Sequence, residues 1–168
     1  DAVDVTADLL VATAGGAITL DTTVASVELA TSSAGDINID ETDPIDLAKV
    51  TTADGNITVD SGGTLTATDV DSSATDDNNN ISLATTAGDI AVVSINAGGV
   101  NDVTLTAAGV ITEDGDAATV LTADALTATA TGPITLDTMV ATADLATNVA
   151  GDIDIDETDA IDLASVTT

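Results

Sequence analysis

The sequence predicts an all-β fold, a β-solenoid wound from short coils, and three observations carry most of that expectation. The first is a long internal repeat. Residues 5–52 align without gaps on residues 121–168, an offset of 116 residues with 34 identities in 48 positions. The stretch ETDPIDLAKVTT (41–52) returns as ETDAIDLASVTT (157–168). The second is a Gly-x-Ile motif at Gly16, Gly35, Gly55, Gly88, Gly109, Gly132 and Gly151. Before most of these glycines sits an apolar-polar-apolar triplet such as Val27-Glu28-Leu29 or Val103-Thr104-Leu105. The third is composition: 44% of residues are hydrophobic, yet there is no Phe, Trp or Tyr. A compact core of this size ordinarily uses aromatic rings, because each buries so much surface. Ile, Leu, Val and Ala suit a thin core repeated along an axis.

Each element follows from these observations. Alternation of apolar and polar residues marks strands with one buried face, and Ile, Val and Thr favour strands. A glycine two residues before each Ile offers the positive φ of a tight corner. Successive starts at Leu10, Val27, Ile45, Leu65, Ile81, Val103 and Leu126 divide the offset into coils of about 19 residues, six coils to each 116-residue repeat. One such coil buries too little to offset its ordering entropy, whereas stacked coils share a core. No stretch favours a helix, since the Ala-rich runs are interleaved with Thr. Residues 1–168 therefore form a single continuous solenoid segment. Residues 5–120 are one full repeat, and 121–168 begin the next, as expected of a window on a longer array with uncapped ends. Ile18, Leu20, Ile37, Ile39, Ile57, Val59, Ile134, Leu136, Ile153 and Ile155 are expected to point inward. The run Asp69 to Asn80 is expected to bulge outward, and Thr112 to Thr119 to form a second bulge.

Charge bounds the function. There are 30 acidic residues against Lys49 alone, a net charge of −29. Binding to nucleic acid needs Lys and Arg to displace counterions, so nucleic acid is excluded as a partner. An anionic membrane surface is excluded likewise. No run approaches the ~20 apolar residues of a membrane span, so no membrane insertion is expected in this segment. Without His or Cys, imidazole bases, thiol chemistry and the usual zinc sites are missing. Glycoside chemistry through paired Asp would also want basic and aromatic residues to hold sugars. No catalytic residue and no required cofactor is assigned, and the chain is read as a non-enzyme.

The acidic stretch Asp36 to Asp46, with its copy Asp152 to Asp162, begins like an EF-hand loop. It departs where Glu41 and Glu157 occupy the glycine position, and Leu47 and Leu163 the final glutamate position. A different calcium reading rests on Asp21, Asp40, Asp60, Asp137 and Asp156, each directly after a strand triplet. Coils stacked in register would line these carboxylates up about one rung apart, and oxygen-rich rows suit Ca²⁺. The plain alternative is solvated turn aspartates. Outward threonines (Thr19, Thr58, Thr104, Thr135) could form a hydroxyl array of the ice-binding kind, though strand propensity explains them. Asn56-Ile57-Thr58 and Asn80-Ile81-Ser82 match the glycosylation sequon at strand starts.

The strings LATSSAGDINID (29–40), LATTAGDIAVV (83–93) and LTAAGVITED (105–114) resemble repeats of filamentous-haemagglutinin-like adhesins and other large bacterial surface proteins. The resemblance covers nearly the whole chain. It implies a right-handed parallel β-helix and an extracellular, cell-surface setting. This chain is more acidic and carries a clean super-repeat. The function expected is a structural stalk or filament segment, with neighbouring repeats as partners through head-to-tail or lateral self-association. A second reading is an acidic module binding calcium or a cationic ligand. A third, an array of calcium-bridged β-sandwiches, is disfavoured by the short sub-period.

Overall fold

The computed structural model describes residues 2–75, 79–115, 121–149 and 151–168. The chain is a parallel β-solenoid of about eight turns, with about 20 residues in each. Among the described residues, sixteen strands join into one sheet that winds around the core. In chain order they are β1 (Val5–Ala14), β2 (Ile18–Thr31), β3 (Ile37–Glu41), β4 (Ile45–Thr51), β5 (Ile57–Ser61), β6 (Leu65–Ala67), β7 (Val70–Asp71) and β8 (Ile81–Thr85). Then follow β9 (Ile90–Val92), β10 (Ile95–Asn96), β11 (Val103–Ala107), β12 (Ile111–Glu113), β13 (Leu121–Ala130), β14 (Ile134–Thr147), β15 (Ile153–Glu157) and β16 (Asp162–Thr167).

Each turn has two sides. On the first side, the start of β2 pairs with β3, then β5, β8, β11 and the second half of β13, all parallel. This stacks Ile18, Ile37, Ile57, Ile81, Val103 and Leu126 in one column. On the second side, Ile45, Leu65, Ile90, Ile111, Ile134 and Ile153 form another. A third column, Leu29, Val50, Val70, Ile95 and Leu121, runs beside it after a slight bend. Strands of the pattern buried-intermediate-buried, such as Ile57-Thr58-Val59, explain the columns: every second side chain enters the core. Burying an Ile or Val fully is worth about 1.5–3 kcal/mol, and Ile57 and Val59 are both 0% exposed. Of the residues expected inside, Leu20, Ile153 and Ile155 are only partly buried against the core and the others are buried.

The column membership corrects the expected six coils per repeat. Five turns carry the first-side column from Ile18 to Leu126, and a further half turn reaches Ile134 on the second side. Ile134 is the 116-residue copy of Ile18, so the repeat spans five and a half turns. The copies therefore lie in different columns of the rod. Local pairing is nonetheless preserved: Val5 faces Thr22 as Leu121 faces Thr138, and Leu10 faces Val27 as Leu126 faces Ala143. The sequence reading slipped where it placed Ile81 after Leu65. The structure sets Ile90 on Leu65 and Ile81 on Ile57.

The glycines act mainly through close approach rather than through φ. Of the Gly-x-Ile glycines only Gly55 (φ 155°) and Gly88 (φ 94°) have positive φ. Elsewhere the corners of neighbouring turns touch. Gly109 N–H donates to the Gly88 carbonyl at 2.7 Å and Gly132 N–H to the Gly109 carbonyl at 2.9 Å. A Cβ on Gly151 would lie 2.8 Å from Pro133 N. The motif itself changes sides, feeding the first side from Gly16 to Gly55 and the second from Gly88 to Gly151.

The run Asp69 to Asn80 does not bulge as a whole. Val70 is a core residue of β7, and Ser72 (0% exposed) and Asn79 (2%) are buried. The Ser72 hydroxyl donates to the Asn79 carbonyl, and Asn79 N–H donates to Asn101 Oδ1 at 3.0 Å. Residues 76–78 lie outside the described set. Polar residues enter here because their partners enter with them. Likewise Thr112 and Glu113 belong to β12, in register with Ala91 and Val92. Residues 116–120 of the second expected bulge lie outside the described set.

Candidate functional site

Outward positions of the first side form two ranks. In one, Thr19, Asn38, Thr58, Ser82, Thr104 and Thr127 stand in register. Thr135, grouped with this rank by sequence, pairs with Asp154 on the second side. In the other rank Asp21, Asp40 and Asp60 stand in register, followed by Ala84, Thr106 and Thr129. Asp137 and Asp156 pair in the same manner on the second side. The rows inferred from the sequence therefore exist, as a row of three and a row of two on opposite sides. Among the described residues no group of three or more Asp or Glu side chains is arranged to hold a metal ion.

At Asp137 the crowding has an electrostatic consequence. Its pKa is raised above the ordinary carboxylate value, first by desolvation and then by the negative charges of Glu113, Asp156, Asp114 and Asp154. Protonation would relieve both effects. Lys49, the lone cation, shows the opposite case. Its ammonium donates to Asp69 Oδ2 across one turn at 2.7 Å. That hydrogen bond raises its pKa, with further help from the charges of Asp69, Asp71 and Glu28.

No protein-family model, curated protein sequence or solved structure matches this chain.

Two features escaped the sequence reading. The first is a caged carboxylate at the corner that follows each acidic row, buried in the first copy and half-buried in the second. Glu41 is 1% exposed. Its Oε2 accepts from Thr22 Oγ1 at 2.8 Å and from Val24 N–H at 2.9 Å, while Oε1 accepts from Asp43 N–H at 3.1 Å. The copy repeats the cage: Glu157 accepts from Thr138 Oγ1 at 2.7 Å, Val140 N–H at 3.3 Å and Asp159 N–H at 3.4 Å. A buried charge needs such donors. The sequence signal was present in the conserved Thr22/Thr138 and Glu41/Glu157 pairs within the repeat, but only the stacking brings them together. The second is a side-chain ladder at the strand starts. Asp36 Oδ1 accepts from Asn56 N–H, Asn56 Oδ1 from Asn80 N–H, and Asn80 Oδ1 from Asp102 N–H, each at 2.8 Å. Both sequon asparagines are thus rung-to-rung connectors.

A shallow groove lies at the same corner as each caged glutamate. The first is lined by Ala7, Asp8, Val24, Ala25, Asp43 and Pro44, together with two threonines. The second is lined by Ala123, Met139, Val140, Ala141, Asp159 and Ala160, with Thr122 and Gly99 beside them. Apart from Gly99, every residue of the second groove is the 116-residue counterpart of one in the first.

Proposed function

We propose that the chain is a stalk or filament segment of a secreted, repetitive bacterial surface protein or adhesin, extracellular and at the cell surface. On this reading it is a right-handed β-helix built like filamentous-haemagglutinin-like repeats. One observation carries the proposal: a single sheet of parallel strands and three apolar columns run from turn to turn along the rod. Such a body transmits tension through its backbone ladder, and repeats extend it without a new kind of interface. The acidic outer ranks keep neighbouring rods soluble and apart. Catalysis has no part in this reading, and the partners are neighbouring repeats, end to end or side by side.

Antibodies raised against the chain, applied to intact cells of the source organism, test this. Extended surface structures should be labelled before permeabilisation, and treatment of the cells with protease should remove the label. Labelling confined to permeabilised cells would overturn the proposal.

A second reading is favoured by the register of Asp21, Asp40 and Asp60. Ca²⁺ bridging carboxylates of adjacent turns would turn repulsion of roughly 0.9 kcal/mol per pair in water into attraction.

A further inference from the structure

We infer that each 116-residue unit carries one docking groove for a lysine-rich segment of a basic partner protein, and that successive grooves lie at different corners of the rod. This goes beyond the structural role proposed above.

The groove is built twice from equivalent residues. In the first copy exposed Ala7, Ala25 and Pro44 line it over buried Val24, bordered by the exposed carboxylates Asp8 and Asp43. In the second its exposed apolar lining is Met139, Ala141 and Ala160 over buried Ala123 and Val140, with Asp159 on the rim and Asp124, the counterpart of Asp8, exposed nearby. Behind each floor sits the caged glutamate, which fixes the backbone of Val24 or Val140.

Charge complementarity selects the occupant. An apolar floor between carboxylates suits a side chain with an aliphatic stem and a cationic head, which is a lysine. The chain itself supplies the precedent: Lys49 lies across one turn and delivers its ammonium to Asp69. With a net charge of −29, the rod also draws a basic partner toward any of its faces. The groove adds a specific seat to that general attraction.

The half-integral repeat sets the geometry. In the first copy the groove lies where the chain passes from the first side to the second, after Thr22. In the second copy it lies at the reverse passage, after Thr138. The two grooves are therefore at different corners, separated along the axis by about five and a half rungs, about 26 Å at ~4.8 Å per rung. A partner with two basic segments on a short linker would join two rods rather than close on one.

Titration of the whole chain with an acetylated, amidated trilysine peptide tests this, followed by calorimetry and by methyl NMR. Two sites per chain are expected, with shifts centred on Val24, Ala25, Val140 and Ala141, and binding weakened by NaCl. Ala25→Trp should fill the first groove and leave one site, as should Ala141→Trp for the second. Because a bulky residue could disturb the corner, Asp43→Asn and Asp159→Asn are measured as well. Each should weaken its own site roughly two- to fivefold, the range of a single exposed ion pair. Two trilysines joined by a short flexible linker should raise light scattering in the native chain and lose that effect when either groove is filled. Shifts spread evenly over the acidic ranks, with stoichiometry unchanged in all four variants, would mean attraction by net charge alone and would overturn the inference.

Discussion

Replacing Glu41 by Ala tests the corner cage, and the repeat provides its own control. In the native chain the carboxylate satisfies the Thr22 hydroxyl and the Val24 N–H; Thr22 is 0% exposed and Val24 3%. The variant leaves both donors buried without an acceptor, while exposed Asp43 N–H turns to water. Each orphaned buried donor costs about 1–3 kcal/mol, so the loss should be roughly 2–6 kcal/mol. In a chain of this size that lowers the melting temperature by about 5–20 °C, followed by circular dichroism. Glu157→Ala removes the same contacts in the second copy. Glu157 is only partly buried and its bonds to backbone are longer, 3.3 and 3.4 Å. Thr138 (0% exposed) and Val140 (2%) lose their acceptor in turn, so its loss should cost about 2 kcal/mol, the low end of that range, because water reaches the half-buried site. Equal shifts in the two variants, or a Glu41→Ala melt within 2 °C of native, would refute the claim that burial of this carboxylate holds the corner.

Three further outcomes are expected. Asp137→Asn should raise stability at neutral pH: the folded-state pKa of Asp137 is raised, so its favourable contribution exists only where it is protonated and is lost as pH rises through that value. The advantage of the variant should shrink as pH falls and vanish below the ordinary aspartate value of about 3.9, seen in melts at several pH values. Gly55→Ala should destabilise the rod by roughly 1–3 kcal/mol, because the added Cβ would lie 2.5 Å from the Gly35 carbonyl oxygen, whereas Gly16→Ala meets nothing within 4 Å and should be near neutral. Urea unfolding of both variants decides this. Calcium should raise the melting temperature more than NaCl of equal ionic strength, and Asp40→Asn, at the centre of the three-carboxylate row, should remove most of that excess; equal melts in the two salts would leave only screening.

The sequence by itself determined most of the strands, most of the inward residues and the carboxylate rows, while β7 and the end of β12 fell on runs read as bulges. The reason is local: alternation fixes which side chains share a face, and Ile18-Thr19-Leu20-Asp21 reads the same in any register that keeps strands parallel. The internal repeat likewise made the solenoid legible, since Gly35-Asp36-Ile37 and Gly151-Asp152-Ile153 announce equivalent corners. Only the tertiary structure decided which strand lies on which. A turn has two sides of similar apolar pattern, so Ile81 and Ile90 are equally good successors to Leu65 on hydrophobicity alone. Packing resolves the choice through loop length: the longer excursion after Val70 brings Ile81 back over Ile57, and Asn79 is buried beneath Asn101 to close it. That one decision sets how many turns make a repeat, while the separate pairing of β2 with β3 brings Thr22 under Glu41. No pattern within a single strand encodes these contacts, because each joins residues about one turn apart whose separation varies from turn to turn.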